Sequence, residues 1–151
     1  MLVSPAVLAA ETADVVVVGA GAAGLSASIG AAARGAKVIL LEKTGDAGGN
    51  TAFASLGLNA AATPDQAAAR IMGDSATLFA ADTIRYGHQF NDAALVRAMT
   101  VTSAPALAWL ETLGAKLCLR ITPVGSEARP RLMAPCDGTA VGPLLIQGLK
   151  A

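Results

Sequence analysis

The chain has few of the residues that metal sites and nucleic-acid-binding surfaces require. Its 151 residues include one histidine, two cysteines and only 3% aromatic residues, and 11 basic residues balance 11 acidic ones. Because Cys118 and Cys136 are 18 residues apart, with no Cys-x-x-Cys pair and only His88 beside them, a zinc cluster is excluded. A net charge of zero gives no reason to expect a nucleic-acid partner. We predict no metal site and two packed, reduced thiols, with a disulfide as the alternative.

The N-terminus lacks the features of a secretory signal. Residues 1–13 contain no lysine or arginine and only a short apolar stretch, so we predict an N-terminal extension on a cytoplasmic protein. Residues 15–33 carry no charge, but they are mostly Gly, Ala and Ser, which disfavours a membrane span. The apolar fraction of 54% is high for an independent soluble domain, and it leaves open an apolar face that another polypeptide covers.

The most informative segment runs from a four-valine strand through a glycine-rich turn into a helix. Val15–Val18 is β-branched and uncharged, which is typical of a strand buried on both faces of a sheet. The turn that follows reads Gly19-x-Gly21-x-x-Gly24. Its first glycine permits the tight turn, its second lets a pyrophosphate approach the backbone, and its third lets the helix pack closely on the strand. The helix N-terminus then offers N–H groups to phosphate.

A second strand and an acidic residue complete a dinucleotide-binding pattern. We predict a strand at Val38–Leu41 with Glu42 at its carboxyl end, 18 residues after Gly24. A carboxylate there accepts the hydroxyl protons of a ribose and repels a 2′-phosphate. The alternative, a βαβ unit that binds nothing, is disfavoured by the combination of strand, turn, helix and acid. A Gly-rich loop follows at residues 43–51, and its N–H groups can wrap an anion.

Capping residues, prolines and alternating apolar residues predict the later elements. They are a helix beginning at Thr63, a helix capped by Asp74 or Ser75 that ends at Gly87, a third helix capped by Asn91, a fourth opened by Ser103 and Pro105 and ended by Gly114, a strand within residues 116–121, a loop over residues 123–137 and a final helix within residues 138–151. We expect the further strand to join the two parallel ones in a small sheet with unpaired edges and an exposed face.

Three motifs together resemble the FAD-binding flavoproteins of the fumarate reductase and succinate dehydrogenase superfamily, in particular the flavocytochrome-type fumarate reductases. They are GlyAlaGlyAlaAlaGly at 19–24, LeuGluLys at 41–43 and GlyGlyAsnThr at 48–51. The resemblance implies an α/β fold in which a Rossmann-like βαβ dinucleotide-binding unit precedes helices, with FAD as the cofactor. The cofactor-binding residues that it implies are Gly19, Gly21, Ala22, Ala23, Gly24, Glu42, Lys43, Gly48, Gly49, Asn50 and Thr51.

The chain departs from this family at the segment that helps to hold a dicarboxylate substrate. Met133 and Ala134 stand where the family has His and Arg, and neither can pair with a carboxylate. Arg131 is expected either to contact an anion or to lie on the solvated surface. We expect His88 in an exposed loop and Trp109 in the core rather than stacked on flavin. No catalytic residue is assigned.

The resemblance also implies that the fold is incomplete. Family members are several times longer, with a capping domain and a proton-donating arginine beyond the part matched here. We therefore expect residues 1–13 to be an N-terminal extension and residues 14–151 to be the N-terminal portion of an FAD-binding domain, without its capping and catalytic domain.

Two functions remain open at this point. The first is an FAD-dependent, fumarate reductase-like oxidoreductase that reduces or oxidises a C–C bond next to a carboxylate or carbonyl, with this chain supplying the FAD-binding part. A second chain could then carry the missing catalytic domain. The alternative is a catalytically inactive remnant, or a non-enzymatic module that binds FAD or ADP. Whether the isolated chain is an enzyme is open.

Overall fold

The computed structural model describes residues 11–121 and 129–150, and its first unit is a parallel β–α–β arrangement. Strand β1 (Val15–Val18) leads into helix α1 (Ala22–Ala32), which is followed by strand β2 (Val38–Leu41). The two strands pair in parallel, with Val15 opposite Val38. Helix α1 contacts both of them. The predicted strand–turn–helix–strand unit is confirmed.

The burial predicted for β1 is wrong. Val16 is 56% exposed and Val18 is 82% exposed, whereas a strand covered on both faces would bury these side chains. The cause is that this sheet has two strands among the described residues, and α1 covers one face only. The prediction of a sheet with an exposed face is confirmed.

A separate antiparallel sheet lies in the second half of the molecule. Strands β3 (Leu58–Asn59), β4 (Leu117–Leu119) and β5 (Leu132–Pro135) pair in the order β3–β5–β4. We expected the further strand to join the parallel pair. That prediction is wrong, because the strand pairs in the antiparallel sheet instead. The predicted loop over residues 123–137 also contains the central strand β5, while its residues 123–128 lie outside the described residues. The prolines suggested a loop, but Pro135 is the last residue of β5 and pairs opposite Leu117.

Two of the predicted helix starts are confirmed in detail. Helix α2 (Pro64–Ala68) begins with a capping box, in which the Thr63 hydroxyl accepts from the Gln66 N–H and the Gln66 side chain accepts from the Thr63 N–H. Helix α3 (Ala76–Tyr86) is capped by the Ser75 hydroxyl, which accepts from the N–H of Leu78 at 3.1 Å.

Two predicted helices are one. Helix α4 (Ala93–Thr112) is capped by Asp92 rather than Asn91, and it continues through Pro105. An interior proline costs about 3 kcal/mol because it removes a hydrogen bond and clashes with the preceding turn. The helix persists because one face, formed by Val96, Thr100, Ser103 and Leu107, is buried along its length.

Helix α4 is also the one helix in residues 11–121 and 129–150 that is long and apolar enough to cross a membrane, by length and composition alone. Of its most apolar stretch, 22% is buried inside the molecule. The absence of a membrane span therefore stays a prediction.

The apolar core has two parts joined through the last helix, α5 (Val141–Lys150). One part surrounds the antiparallel sheet and includes Leu107, Met133 and Val141. The other lies between α1 and α5 and includes Leu25 and Ile146, with half-buried Trp109 packed against it. Trp109 is a core residue, as predicted. His88 is exposed in the turn after α3, also as predicted.

Arg131 is neither solvated nor free to bind an anion. Its side chain is 0% exposed, and its guanidinium donates to both carboxylate oxygens of Asp74 at 2.9 and 2.6 Å. A third hydrogen bond joins it to Asp82 at 2.9 Å, and Gln66 also donates to Asp74. The surface expectation is wrong because two buried carboxylates converge on this guanidinium, which sequence spacing does not reveal.

The two cysteines form a disulfide, so the expectation of reduced thiols is wrong. Cys118 lies in β4 and Cys136 directly follows β5, and the antiparallel pairing brings their Cα atoms to 5.0 Å. That separation is typical of disulfides. The pairing depends on β5, which the sequence did not predict.

Candidate functional site

A cleft of about 620 Å³ opens at the carboxyl ends of β1 and β2. Its walls come from the glycine turn, from the residues that follow β2, and from the short 3₁₀ helix Gly49–Phe53. The volume lies in the range of about 300–1,000 Å³ that is usual for ligand and cofactor sites. The end of parallel strands is also where ligands bind in open α/β folds.

The glycine turn holds α1 against the end of β1. A Cβ atom on Gly24 would overlap the carbonyl oxygen of Gly19, so no other residue fits without moving the backbone. At Gly21 the nearest atom to an added Cβ is the carbonyl oxygen of Gly48, at 3.8 Å, and Gly21 lines the cleft. Gly24 thus sets the close packing, and Gly21 keeps the cleft open to a ligand.

The N-terminus of α1 begins at this turn. The N–H of Ala22 donates to the hydroxyl of Thr51 at 3.3 Å, and Thr51 lies on the Gly-rich loop. Within the described residues, the N–H groups of Ala23 and Gly24 have no acceptor in the chain. Free N–H groups and the positive end of the helix dipole favour an anionic group at this point.

Glu42 is a fixed anion between the turn and the loop. Its carboxylate accepts from the N–H of Ala20 at 2.8 Å and from the N–H and hydroxyl of Thr44 at 2.9 and 3.0 Å. The backbone N–H of Ala20, and after it that of Thr44, lower the pKa of Glu42 from 4.5 to about 2. A carboxylate has about four acceptor positions, so capacity remains for a hydroxyl donor. The negative charge of Glu42 would repel a phosphate group bound where that hydroxyl would lie.

The Gly-rich loop is attached to the glycine turn by backbone contacts. The N–H of Gly48 donates to the carbonyl of Ala20 at 2.8 Å, and Gly48 pairs with Gly21 as an isolated parallel bridge. Gly48 has a φ of 142°, which other residues rarely adopt, and a Cβ there would come within 2.9 Å of the Ala52 side chain. The loop can therefore follow this path only with glycine at position 48.

Helix α5 supports the same loop from behind. The N–H of Gly142 donates to the carbonyl of Ala54 at 2.8 Å, and a Cβ on Gly142 would overlap the carbonyl of Thr51. Ile146, about one turn later, lies close to Gly48. The position of the loop thus depends on α5 as well as on the glycine turn.

The predicted site residues divide into two groups. Those that line the cleft are Gly19, Gly21, Glu42, Lys43, Gly49 and Asn50. Those that build the support around it are Ala22, Ala23, Gly24, Gly48 and Thr51. The hydroxyl of Thr51 accepts a hydrogen bond from the N–H of Ala22 at the N-terminus of α1.

The prediction missed further lining residues, chiefly Thr44, Asp46 and Phe53. Thr44 and Asp46 lie in the predicted Gly-rich loop, so the loop as a whole was the available signal. Phe53 is 86% exposed, and no sequence feature placed it there.

Met133 and Ala134, the two positions at which this chain differs from the resembled family, do not line this cleft. Met133 is 0% exposed and Ala134 is 6% exposed, in the centre of the antiparallel sheet. They have no side-chain group for a carboxylate, and they are packed as core.

A second concavity, of about 550 Å³, lies along α4, where alanines, Val101 and Thr102 surround Arg97. Its helical backbone is already hydrogen-bonded, so it offers one guanidinium instead of a set of convergent N–H groups. The cleft at the glycine turn is the better site for a dinucleotide.

The residues around the cleft fit FAD. A pyrophosphate needs an approach free of side chains and N–H donors, which Gly21 and the start of α1 supply. An adenosine ribose needs a hydroxyl acceptor, which ionised Glu42 supplies. Gly49 and Asn50 line the same cleft.

Comparison with known proteins agrees with this assignment. A family model described as an FAD binding domain matches residues 14–147. Fumarate reductase (cytochrome) of Shewanella frigidimarina is 42% identical over 139 residues, which are 92% of this chain and 24% of that protein. NADH:fumarate oxidoreductase of Klebsiella pneumoniae (strain 342) is 44% identical over 90% of this chain and 14% of its own length.

The solved structures give the same result. The open conformation of a flavocytochrome c3 fumarate reductase matches 93% of this chain and 24% of its own, with a TM-score of 0.85 and 38% identity. The chain thus spans about a quarter, or less, of the fumarate-reducing relatives it matches. The chain therefore belongs to the FAD binding domain family, as a relative of the fumarate reductase flavoproteins, and FAD is its cofactor.

Proposed function

We propose that this chain supplies the FAD-binding part of an oxidoreductase that reduces or oxidises a C–C bond next to a carboxylate or carbonyl. The observation that carries the proposal is the cleft at the glycine turn, with Glu42 on one side and the Gly49–Phe53 helix on the other. The similarity to proteins named as fumarate reductases supports the type of reaction.

The chain's own residues bind and orient the cofactor. The N–H groups at the start of α1 hold the pyrophosphate, and Glu42 holds the ribose while rejecting a 2′-phosphate. Gly48 and α5 fix the loop that carries Gly49 and Asn50. When bound, FAD supplies hydride-transfer chemistry. No residue of this chain is assigned to proton transfer or to substrate binding.

We further propose that residues 14–151 are the N-terminal portion of a larger FAD-binding domain, preceded by an extension at residues 1–13. The exposed face of the β1–β2 sheet and the partial coverage of the relatives support this division. The missing capping and catalytic part would come from a longer polypeptide or from a second chain.

The second candidate function is an FAD- or ADP-binding module without turnover. It is favoured by Met133 and Ala134, which are apolar and buried where the resembling family has a substrate-holding His and Arg. The two proposals separate on one observation. A polypeptide that contains the capping part and restores reduction of an unsaturated acid supports the oxidoreductase, and FAD binding with no such polypeptide supports the module.

We place the protein in the cytoplasm as a proposal, with no nucleic-acid partner and no membrane span. The balanced charge supports the absence of a nucleic-acid partner. Cell fractionation with an antibody to the chain would test the location.

The first test of cofactor binding is the visible absorbance of the purified chain after addition of FAD and removal of the excess. We expect retained flavin absorbance, with no reduction of fumarate by the chain alone. A folded chain that retains no flavin would contradict the proposal that the cleft binds FAD. Turnover by the isolated chain would contradict the need for a further domain.

A further inference from the structure

We propose that the Cys118–Cys136 disulfide is a reversible redox site through which a cellular dithiol controls how tightly this chain holds FAD. The inference rests on the FAD binding proposed above, and it adds regulation of that same cleft. It is carried by the position of the disulfide between β4 and the segment that leads into α5.

The disulfide is accessible to a thiol. Cys136 is exposed, and Cys118 is half-buried. A thiolate of the dithiol would attack the sulfur of Cys136, form a mixed disulfide and release Cys118 as a thiolate. The second thiol of the dithiol then displaces Cys136 and closes its own disulfide. Two electrons and two protons pass from the dithiol to the chain, which ends with two thiols.

The segment next to Cys136 leads directly to the support of the cofactor loop. Cys136 follows the last residue of β5, and α5 begins five residues later, at Val141. The first turn of α5 contacts the loop, because Gly142 donates to Ala54 and lies against Thr51. Displacement of this turn would move the backbone next to Gly48 and Gly49, which hold the far wall of the cleft.

Besides the β4–β5 ladder, which ends at Pro135, two hydrogen bonds within the described residues fix this connection to β4. The N–H of Cys136 donates to the carbonyl of Lys116 at 3.2 Å, and the guanidinium of Arg120 donates to the carbonyl of Pro135 at 2.7 Å. From position 136 to position 140 every residue is exposed, so burial contributes little there. Reduction removes the covalent tie, and the exposed residues 136–140 are then held only at their two ends, by the β4–β5 ladder and by the buried Val141.

Reduction should therefore loosen α5 and the Gly49–Phe53 helix while β1, α1 and β2 keep their pairing. We expect FAD affinity to fall roughly fivefold to tenfold, near the lower end of common couplings between two sites. By linkage, bound FAD must lower the equilibrium constant for reduction of the disulfide by the same factor. In a reducing compartment, where disulfides are usually transient, this coupling would set FAD occupancy.

The test is titration of FAD into the chain with and without dithiothreitol, followed by flavin fluorescence. The Cys118→Ser/Cys136→Ser variant is the matched control, because the chain has only two cysteines. We expect weaker binding on reduction of the native chain, the same weak binding in the variant, and no response of the variant to dithiothreitol. Equal affinity in both redox states, or an equal response of the variant, overturns the proposal.

Amide hydrogen exchange separates this control from a loss of overall stability. We expect faster exchange in residues 48–54 and 138–146 of the reduced chain, with exchange in β1 and β2 unchanged. A uniform increase, or complete unfolding on reduction, would make the disulfide a structural bond and overturn the proposal. If the oxidised chain binds no FAD, the proposed function fails, and the exchange pattern still decides whether the disulfide controls the loop.

Discussion

The two halves of this molecule are stabilised in different ways. Around the antiparallel sheet, the chain buries an arginine with two aspartates, adds a disulfide and packs Met133 at 0% exposure. Around the parallel pair, Val16 and Val18 are open to solvent, and a small apolar cluster between α1 and α5 is supplemented by glycine contacts and backbone hydrogen bonds. The half that contains the proposed cofactor cleft thus has the more exposed strand.

The largest effect should come from breaking the buried ion cluster. Arg131→Ala leaves Asp74 and Asp82 charged in the interior without their buried cation, and we expect a loss of about 3–5 kcal/mol in unfolding free energy. Urea denaturation measures it. Arg85→Ala is the control, because its pair with Asp82 spans 3.4 Å and the arginine is 62% exposed. It should cost less than about 1 kcal/mol. Equal losses in both variants would contradict the difference between the halves.

A substitution in the glycine turn should do the reverse, removing binding without unfolding the chain. Gly21→Val places methyl groups in the cleft, so FAD binding should fall below detection while the fold is kept. Gly30→Ala in α1 is the matched control, since its Cβ would meet only Arg34, at 3.7 Å. It should leave FAD affinity unchanged and add about 0.5–1 kcal/mol of stability. FAD affinity that survives Gly21→Val sinks the cleft assignment.

Removing the charge of Glu42 should weaken binding without abolishing it. Glu42→Gln keeps the shape of the side chain but loses the ionised acceptor, and we expect about a tenfold weaker FAD affinity, as for one charged hydrogen bond. Isothermal titration of FAD measures it. Asp46→Asn in the same cleft serves as the comparison and should change affinity less. A larger loss of FAD affinity in Asp46→Asn than in Glu42→Gln would contradict the assignment of Glu42 as the ribose acceptor.

Acid should weaken the fold through carboxylates from both halves. The N–H groups of Ala20 and Thr44 lower the pKa of Glu42 to about 2. Burial raises the pKa of Asp74, but the hydrogen bonds and charge of Arg131 outweigh it and hold that pKa below its usual value. The stabilisation that these two ionised carboxylates give the fold is complete above their unfolded-state pKa of about 4. It is lost as the pH falls through their lower folded-state pKa values. The urea midpoint should be constant near neutral pH and fall below about pH 4. A midpoint that rises in acid contradicts this.

The smallest effect is expected on the uncovered strand. Val16→Thr, at a position that is 56% exposed, should change the unfolding free energy by less than about 0.5 kcal/mol. Val96→Thr, at a position that is 7% exposed in α4, should cost about 1–3 kcal/mol because it buries a hydroxyl. Equal costs would show that β1 is covered in solution.

The cofactor half was predictable from sequence because its signals are local. The β-branched strand, the glycine spacing and Glu42 all lie within residues 15–42, and Gly19, Gly21 and Glu42 line the cleft. The other half depends on contacts across the chain. Arg131 meets Asp74 from 57 residues away, and β5, which was not predicted, forms between the predicted strand β4 and the unpredicted strand β3. Pro105 and Pro135 indicated breaks, but tertiary packing decided otherwise.

The most direct test of the central claim is to map FAD on the chain by amide chemical shifts in a ¹⁵N–¹H correlation spectrum. The account predicts the largest shifts at Gly19, Gly21, Lys43, Gly49 and Asn50, with little change along α4. Shifts centred on Arg97 and its neighbours in α4, or no shifts in a well-folded spectrum, would contradict the assignment of the cleft as the FAD site.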